Sequence, residues 1–139
     1  MLSKILVAVD GSESAKKAFD KSVFLAQKCN SKLYIAHVVL DATYGGDSAT
    51  TFELIEQLKE RGKQILELCK KEAVKKSVEV ETLLESGDHA QVIIEIAKRI
   101  NCDLIIMGSR GMSVFKELLL GSVSLKVMHL AHCPVMVVR

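Results

Sequence analysis

Three glycines and a serine in the last third of the chain have the types and spacing that phosphate recognition uses. An apolar run ends in Ile105-Ile106-Met107 and passes into Gly108-Ser109-Arg110-Gly111; nine intervening residues then lead to Gly121-Ser122, where a helical pattern begins. Glycine leaves backbone N–H groups open to close approach, and a helix start adds unpaired N–H groups with a favourable dipole. Ser122 is placed to cap that helix and offer a hydroxyl, and Arg110 to make a charge-assisted bond to a phosphate. The plainer alternative is that Gly108 and Gly111 only shape a turn and Gly121 only opens a helix. Asp10, in Val9-Asp10-Gly11-Ser12, ends the first strand-like run. It can accept a ribose hydroxyl or an adenine amino proton across a cleft, but a carboxylate before a helix is favoured by the helix dipole even without a ligand.

Other chemistries are poorly supported. The chain has no G-x-x-x-x-G-K-[ST], and no G-x-G-x-x-G follows its first strand, which excludes a P-loop and a Rossmann dinucleotide site. A phosphorylated receiver domain needs clustered acids after strand one and a phosphate-accepting Asp after strand three; Asp10 stands alone, and strand three ends Leu84-Glu85-Ser86. His37 falls inside a strand and reads as a hydrogen-bonded core residue. His129 and His132 are expected on one helix face without a metal. Cys29, Cys69, Cys102 and Cys133 form no C-x-x-C, so free thiols are expected. No catalytic residue and no metal ligand is assigned.

These residues must be positioned by elements whose apolar periods alternate regularly. Lys4 to Val9 reads as a buried strand, and Ala15, Ala18, Phe19, Val23, Ala26 and Cys29 mark the helix after it. Leu33 to Val39 is a second buried strand. Asp41 to Ser48 reads as a loop, followed by a long helix marked by Phe52, Ile55, Leu58, Ile65, Cys69 and Ala73. Ser77 to Glu85 alternates as a less buried strand, and Asp88 and Gln91 are spaced as a capping box before the next helix. Asp103 to Met107 is a fourth strand, Ser122 to Ala131 the last helix and Pro134 to Val138 a fifth strand. Buried strands joined by helices predict an α/β fold, a doubly wound and mainly parallel sheet with helices on both faces. Ligands of such sheets bind at the carboxyl ends of strands beside the topological switch, which here are Asp10 and Gly108.

The bulk properties fit this plan. With 139 residues the chain has the length of one domain and leaves no room for a second. Nineteen basic against seventeen acidic residues give a net charge of +2, no footprint for nucleic acid or an anionic membrane. Its apolar runs fall far short of the about 20 residues of a membrane span. The chain enters a strand without a leader pattern, so a cytoplasmic protein is expected.

The pattern G-x2-G-x9-G-[ST] at Gly108, Gly111, Gly121 and Ser122, joined to Ile5-Leu6-Val7-Ala8-Val9-Asp10-Gly11-Ser12, resembles the universal stress protein family. Ala36-His37-Val38, Asp103 to Gly108 and His132 to Arg139 are similar to its remaining blocks in order, so the resemblance spans the whole chain. It implies a five-stranded sheet of order 3-2-1-4-5, of the Rossmann-like type shared with the adenine nucleotide α-hydrolases, and it implies ATP binding. Carried over, Asp10 and the backbone near Ala8 and Val38 would hold adenine and ribose. Met107 and Gly108 would pass beneath the sugar and α-phosphate, and Gly111, Gly121, Ser122 and Val123 would cradle the rest. Ala8 departs from the proline of some ATP-binding members, and the loop after strand two is short. Any Mg²⁺ or Mn²⁺ would arrive with the phosphates. No group near the glycines is assigned as a base for hydrolysis or as a second phosphate-reaching cation, so the expected role is a switch or sensor with at most slow ATPase activity. Apolar residues on both faces of the fifth strand predict a homodimer through that edge.

Overall fold

The computed structural model describes residues 1–40, 48–110 and 121–139, with side chains from 52 onward in the second of these segments. Its elements are β1 (Lys4–Ala8), α1 (Glu13–Cys29), β2 (Lys32–Val39), α2 (Ser48–Lys75), β3 (Glu79–Ser86), α3 (His89–Ile100), β4 (Leu104–Gly108), α4 (Ser122–Leu130) and β5 (Val135–Val138). The five strands form one sheet of order β3-β2-β1-β4-β5, parallel at every pairing.

Alternation along the strands sends successive side chains into two apolar layers. Ile5, Val7, Leu33, Ile35 and Ile106 enter one layer with Phe19 and Val23 of α1 and Leu66 and Ala73 of α2. Leu6, Tyr34, Ala36, Ile105 and Met107 enter the other with Ile93 and Ile96 of α3 and Val127 of α4. Ile5, Leu6 and Val7 are all fully buried, as expected of a strand covered on both sides. On the edge strand β3 no side chain is fully buried, in keeping with its alternating sequence.

Local chemistry sets the helix ends. The Ser12 hydroxyl accepts the Ala15 N–H at 3.1 Å to start α1, and Asp88 accepts the Gln91 N–H at 3.0 Å to start α3. Asn30 and Asn101 end the same two helices in the left-handed conformation. Only half of the anticipated capping box forms: the Gln91 side chain turns forward, its amide donating to Glu95 at 3.1 Å, rather than back to accept the Asp88 N–H. The last helix starts at Ser122 as expected, but its N-cap is Gly121, without a side-chain bond, rather than Ser122.

Candidate functional site

The chain leaves β1 towards β2 on one side and reaches β4 on the other, so the topological switch lies between β1 and β4. At its carboxyl end β1 is tied to β2 twice: the Val9 N–H donates to Ala36 O at 2.9 Å, and His37 Nδ1 donates to Val9 O at 2.8 Å. His37 is thus a hydrogen-bonded, half-buried residue that fixes the backbone leading into Asp10. The half-buried Asp10 turns back on its own chain, one carboxylate oxygen accepting the Ser12 N–H at 2.9 Å. Gly11 takes φ +86° inside this turn, and a Cβ there would stand 3.5 Å from Arg61 Nη2 of α2. The fold therefore brings to the turn a second guanidinium that sequence spacing did not reveal.

The end of β4 lies against the first turn of α1. A Cβ on Gly108 would fall on Ser14 Oγ and within 2.7 Å of Ser14 C and 2.9 Å of Ala15 N, so only glycine allows this approach. Ser14 joins three segments: its hydroxyl accepts the Arg110 N–H at 3.3 Å and donates to Val138 O at 3.4 Å. Sequence reasoning missed Ser14, because its neighbour Ser12 carries the recognisable capping signal.

Ser109 and Gly121 form the two feet of the segment that follows. The Ser109 N–H donates to Val138 O at 2.9 Å, and the Gly121 N–H donates to Ser109 O at 2.7 Å. Ser124 Oγ donates to Gly121 O at 2.9 Å, fastening the returning foot to α4. The first helical bond of α4 is made by the Leu125 N–H to Gly121 O. Among the described residues no side chain caps this helix, and the N–H groups of Ser122 and Val123 lie at its start, where an anion is favoured.

The structure thus joins Gly108, Arg110, Gly121 and Ser122 through one hydrogen-bonded crossing, with α1 and Asp10 on its β1 side. Ala8, Val38, Met107 and Val123 share the apolar layer on the α3–α4 face of the sheet. Gly111 lies outside the described residues. His132 does not share a helix face with His129, because α4 ends at Leu130. The four cysteines are free thiols, but Cys102 and Cys133, distant in sequence, are neighbours in space.

The family model described as Universal stress protein family matches residues 1–139. The universal stress protein YxiE of Bacillus subtilis is 40% identical over 148 aligned positions that cover all of both chains. Among solved structures, the universal stress protein UspA from Lactobacillus plantarum superposes with a TM-score of 0.92 at 27% identity, covering 99% of this chain and 98% of that one. A universal stress protein in complex with cAMP gives 0.76 at 25% identity, covering 99% and 97%. A family protein from Arabidopsis thaliana with AMP bound gives 0.74 at 27% identity, covering 98% and 90%.

Proposed function

Because this chain belongs to the universal stress protein family, we propose that it binds ATP at the carboxyl ends of β1 and β4 and works as a nucleotide-dependent switch or sensor in a stress response. The observation that carries this reading is the uncapped start of α4, held at the end of β4 by the Gly121 N–H bond to Ser109 O. The N–H groups of Ser122 and Val123 supply the donors a phosphate chain needs, and Arg110 supplies charge. Asp10 keeps one carboxylate oxygen for a ribose hydroxyl, since the other takes the Ser12 N–H. The backbone near Ala8 and Val38 would hold adenine and ribose, Met107 and Gly108 would pass beneath the sugar and α-phosphate, and Gly111 belongs to the same cradle by its place in the glycine pattern. The AMP and cAMP carried by two solved relatives support an adenine ligand.

These donors fit a nucleotide better than a metal held by protein. Among the described residues Asp10 is the one carboxylate in the proposed site, so a Mg²⁺ or Mn²⁺ ion would be coordinated through the phosphates and would neutralise their charge. Arg61 stands at the Gly11 turn, but among the described residues no group in the site is placed as a base for water. The role is therefore one of binding, with hydrolysis at most slow.

A homodimer through β5 belongs to the same reading. Met136 and Val138 pack into one layer and Val135 and Val137 into the other, yet all four stay only half-buried at the sheet edge. Beside them α4 exposes Leu125, Met128 and Leu130, an apolar surface suited to a second copy. Among the described residues no helix is long and apolar enough to cross a membrane. A cytoplasmic dimer is the setting proposed.

A second reading, a dimeric stress protein without nucleotide, draws on the structural reasons that Gly108 and Asp10 already have for their identity. Mass spectrometry of protein purified without added nucleotide separates the two. Co-purified ATP is expected; no nucleotide, together with no titration heat at millimolar ATP, AMP or cAMP, would favour the second reading. Gly121→Asp, which sets a carboxylate at the helix start, is expected to abolish binding while the protein stays folded by circular dichroism. Unchanged affinity would refute the cradle.

A further inference from the structure

At the end of the sheet opposite the cleft, three donor side chains that are scattered in sequence converge. Cys102 lies between α3 and β4, and His132 and Cys133 lie between α4 and β5. The two Sγ atoms are 3.8 Å apart, and both sulfurs and a ring nitrogen of His132 lie within 4.8 Å of one another. We propose that Cys102, His132 and Cys133 bind one thiophilic d10 cation, Zn²⁺ by geometry, with water or another small donor completing a tetrahedron.

The spacing matches the metal. Two thiolates on a tetrahedral Zn²⁺, each at about 2.3 Å, stand about 3.8 Å from one another. A disulfide requires about 2.05 Å, so cross-linking needs the sulfurs to close by well over 1 Å whereas the cation needs almost no movement of the sulfurs. Two thiols and an imidazole select Zn²⁺ or Cu⁺ over Mg²⁺ and Ca²⁺, which prefer oxygen.

Backbone bonds hold the donors in place. The Cys102 N–H donates to Ala97 O at 3.1 Å, the Ala131 N–H to Val127 O at 2.9 Å, and the Ile105 N–H to Pro134 O at 3.0 Å, the last tying together the two segments that carry the ligands. Pro134 also restricts Cys133 to extended backbone. His132 Nε2 stands 3.1 Å from the Cys102 carbonyl, which only accepts, so Nε2 carries the proton and Nδ1 the lone pair. A backbone carbonyl holding one ring nitrogen is the usual outer partner of a metal-bound histidine. The adjacent carboxylate, Asp103, is engaged by the Ser3 and Lys4 N–H groups at 2.9 Å and is not needed as a ligand.

Access agrees with this assignment. Cys102 is buried, Cys133 half-buried and His132 exposed, which gives the cation a way in. Both thiols give up their protons to the solvent on binding. The bound cation would fasten the start of the edge strand β5 to β4, and binding to the folded chain alone would raise its stability.

The test uses reduced, chelator-stripped full-length protein titrated with Zn²⁺ against a chromophoric chelator, and with Co²⁺ as a spectroscopic substitute. One Zn²⁺ per chain is expected, with thiolate-to-cobalt charge-transfer absorption. Zn²⁺ should also protect Cys102 and Cys133, but not the exposed Cys29, from maleimide. His132→Ala, at an exposed side chain, and Cys133→Ser should each weaken binding at least about tenfold, while Cys29→Ser leaves it unchanged. Absence of binding at micromolar Zn²⁺, or wild-type binding by both cluster variants, overturns the proposal. So does a Cys102–Cys133 disulfide that forms in air even with Zn²⁺ present throughout.

Discussion

Gly108→Ala separates two reasons for a glycine at the end of β4. In the ligand reading a side chain would obstruct a nucleotide; in the packing reading it would obstruct α1 whether or not a nucleotide is present. The structure makes the second effect large. The new Cβ would meet Ser14 Oγ and stand 2.7 Å from Ser14 C and 2.9 Å from Ala15 N, the latter two backbone atoms that cannot rotate away. The first turn of α1 or the end of β4 must therefore shift by several tenths of an ångström. Overpacking of this kind costs about 1–3 kcal/mol. A chain of 139 residues unfolds with an entropy of about 0.3 kcal/mol/K near its midpoint, so Tm should fall by about 3–10 °C. Differential scanning calorimetry on nucleotide-stripped protein measures this directly, with Ser14→Ala as a companion. Losing the Ser14 hydroxyl relieves only part of the clash, so the double variant should stay less stable than Ser14→Ala alone. A Tm for Gly108→Ala within 1 °C of wild type would refute the packing argument.

Two further expectations concern single contacts. Asp88→Ala removes the cap bond to the Gln91 N–H and should cost about 1 kcal/mol in urea unfolding at neutral pH. That N–H holds the Asp88 carboxyl below its usual range; a lowered folded pKa means the contribution is present above the unfolded value and is lost as pH falls through the folded one. The wild-type advantage should therefore be constant from neutral pH to mild acid and shrink only in strong acid; an advantage that vanishes by pH 6 would contradict it. In α2, a Cβ on Gly62 would stand 2.6 Å from His37 Cδ2 and 2.9 Å from Leu84 Cδ1. Gly62→Ala should destabilise by about 1–2 kcal/mol, and a His37→Ala background should absorb part of that loss in a double-mutant cycle.

The architecture was readable because two periods alternate without interruption. Three-residue runs such as Ile5-Leu6-Val7 can be buried on both faces only in a sheet covered on both sides, and the alternation of Val80, Thr82 and Leu84 marked β3 as less covered. Strand order beyond that came from the resemblance, since periodicity does not say which strands are neighbours. The cap of α4 was misplaced by one residue because glycine and serine both suit an N-cap, and spacing does not choose between them. Ser14, Arg61 and Gly62 were missed for a common reason: each acts through a contact made only when distant segments pack. The cysteines show the same limit, with Cys102 and Cys133 separated by a helix in sequence and adjacent at the entrances of neighbouring strands.

The two ends of the strand order are chemically unlike. At the β3 end Glu79 and Glu81 are exposed, and Glu81 pairs with Lys32 at 3.2 Å; at the β5 end the strand is Val135-Met136-Val137-Val138, without a charge. If one copy joined its β5 to the β3 of the next, the sheet would grow into a filament, since head-to-tail pairing leaves the same two edges free after each addition. Acidic residues on one end work against that addition, whereas two β5 edges meeting about a twofold axis consume each other and stop. In the proposed β5 dimer the uneven edges would favour closure over polymerisation, and valine at Glu79 and Glu81 would weaken that choice without touching the cleft.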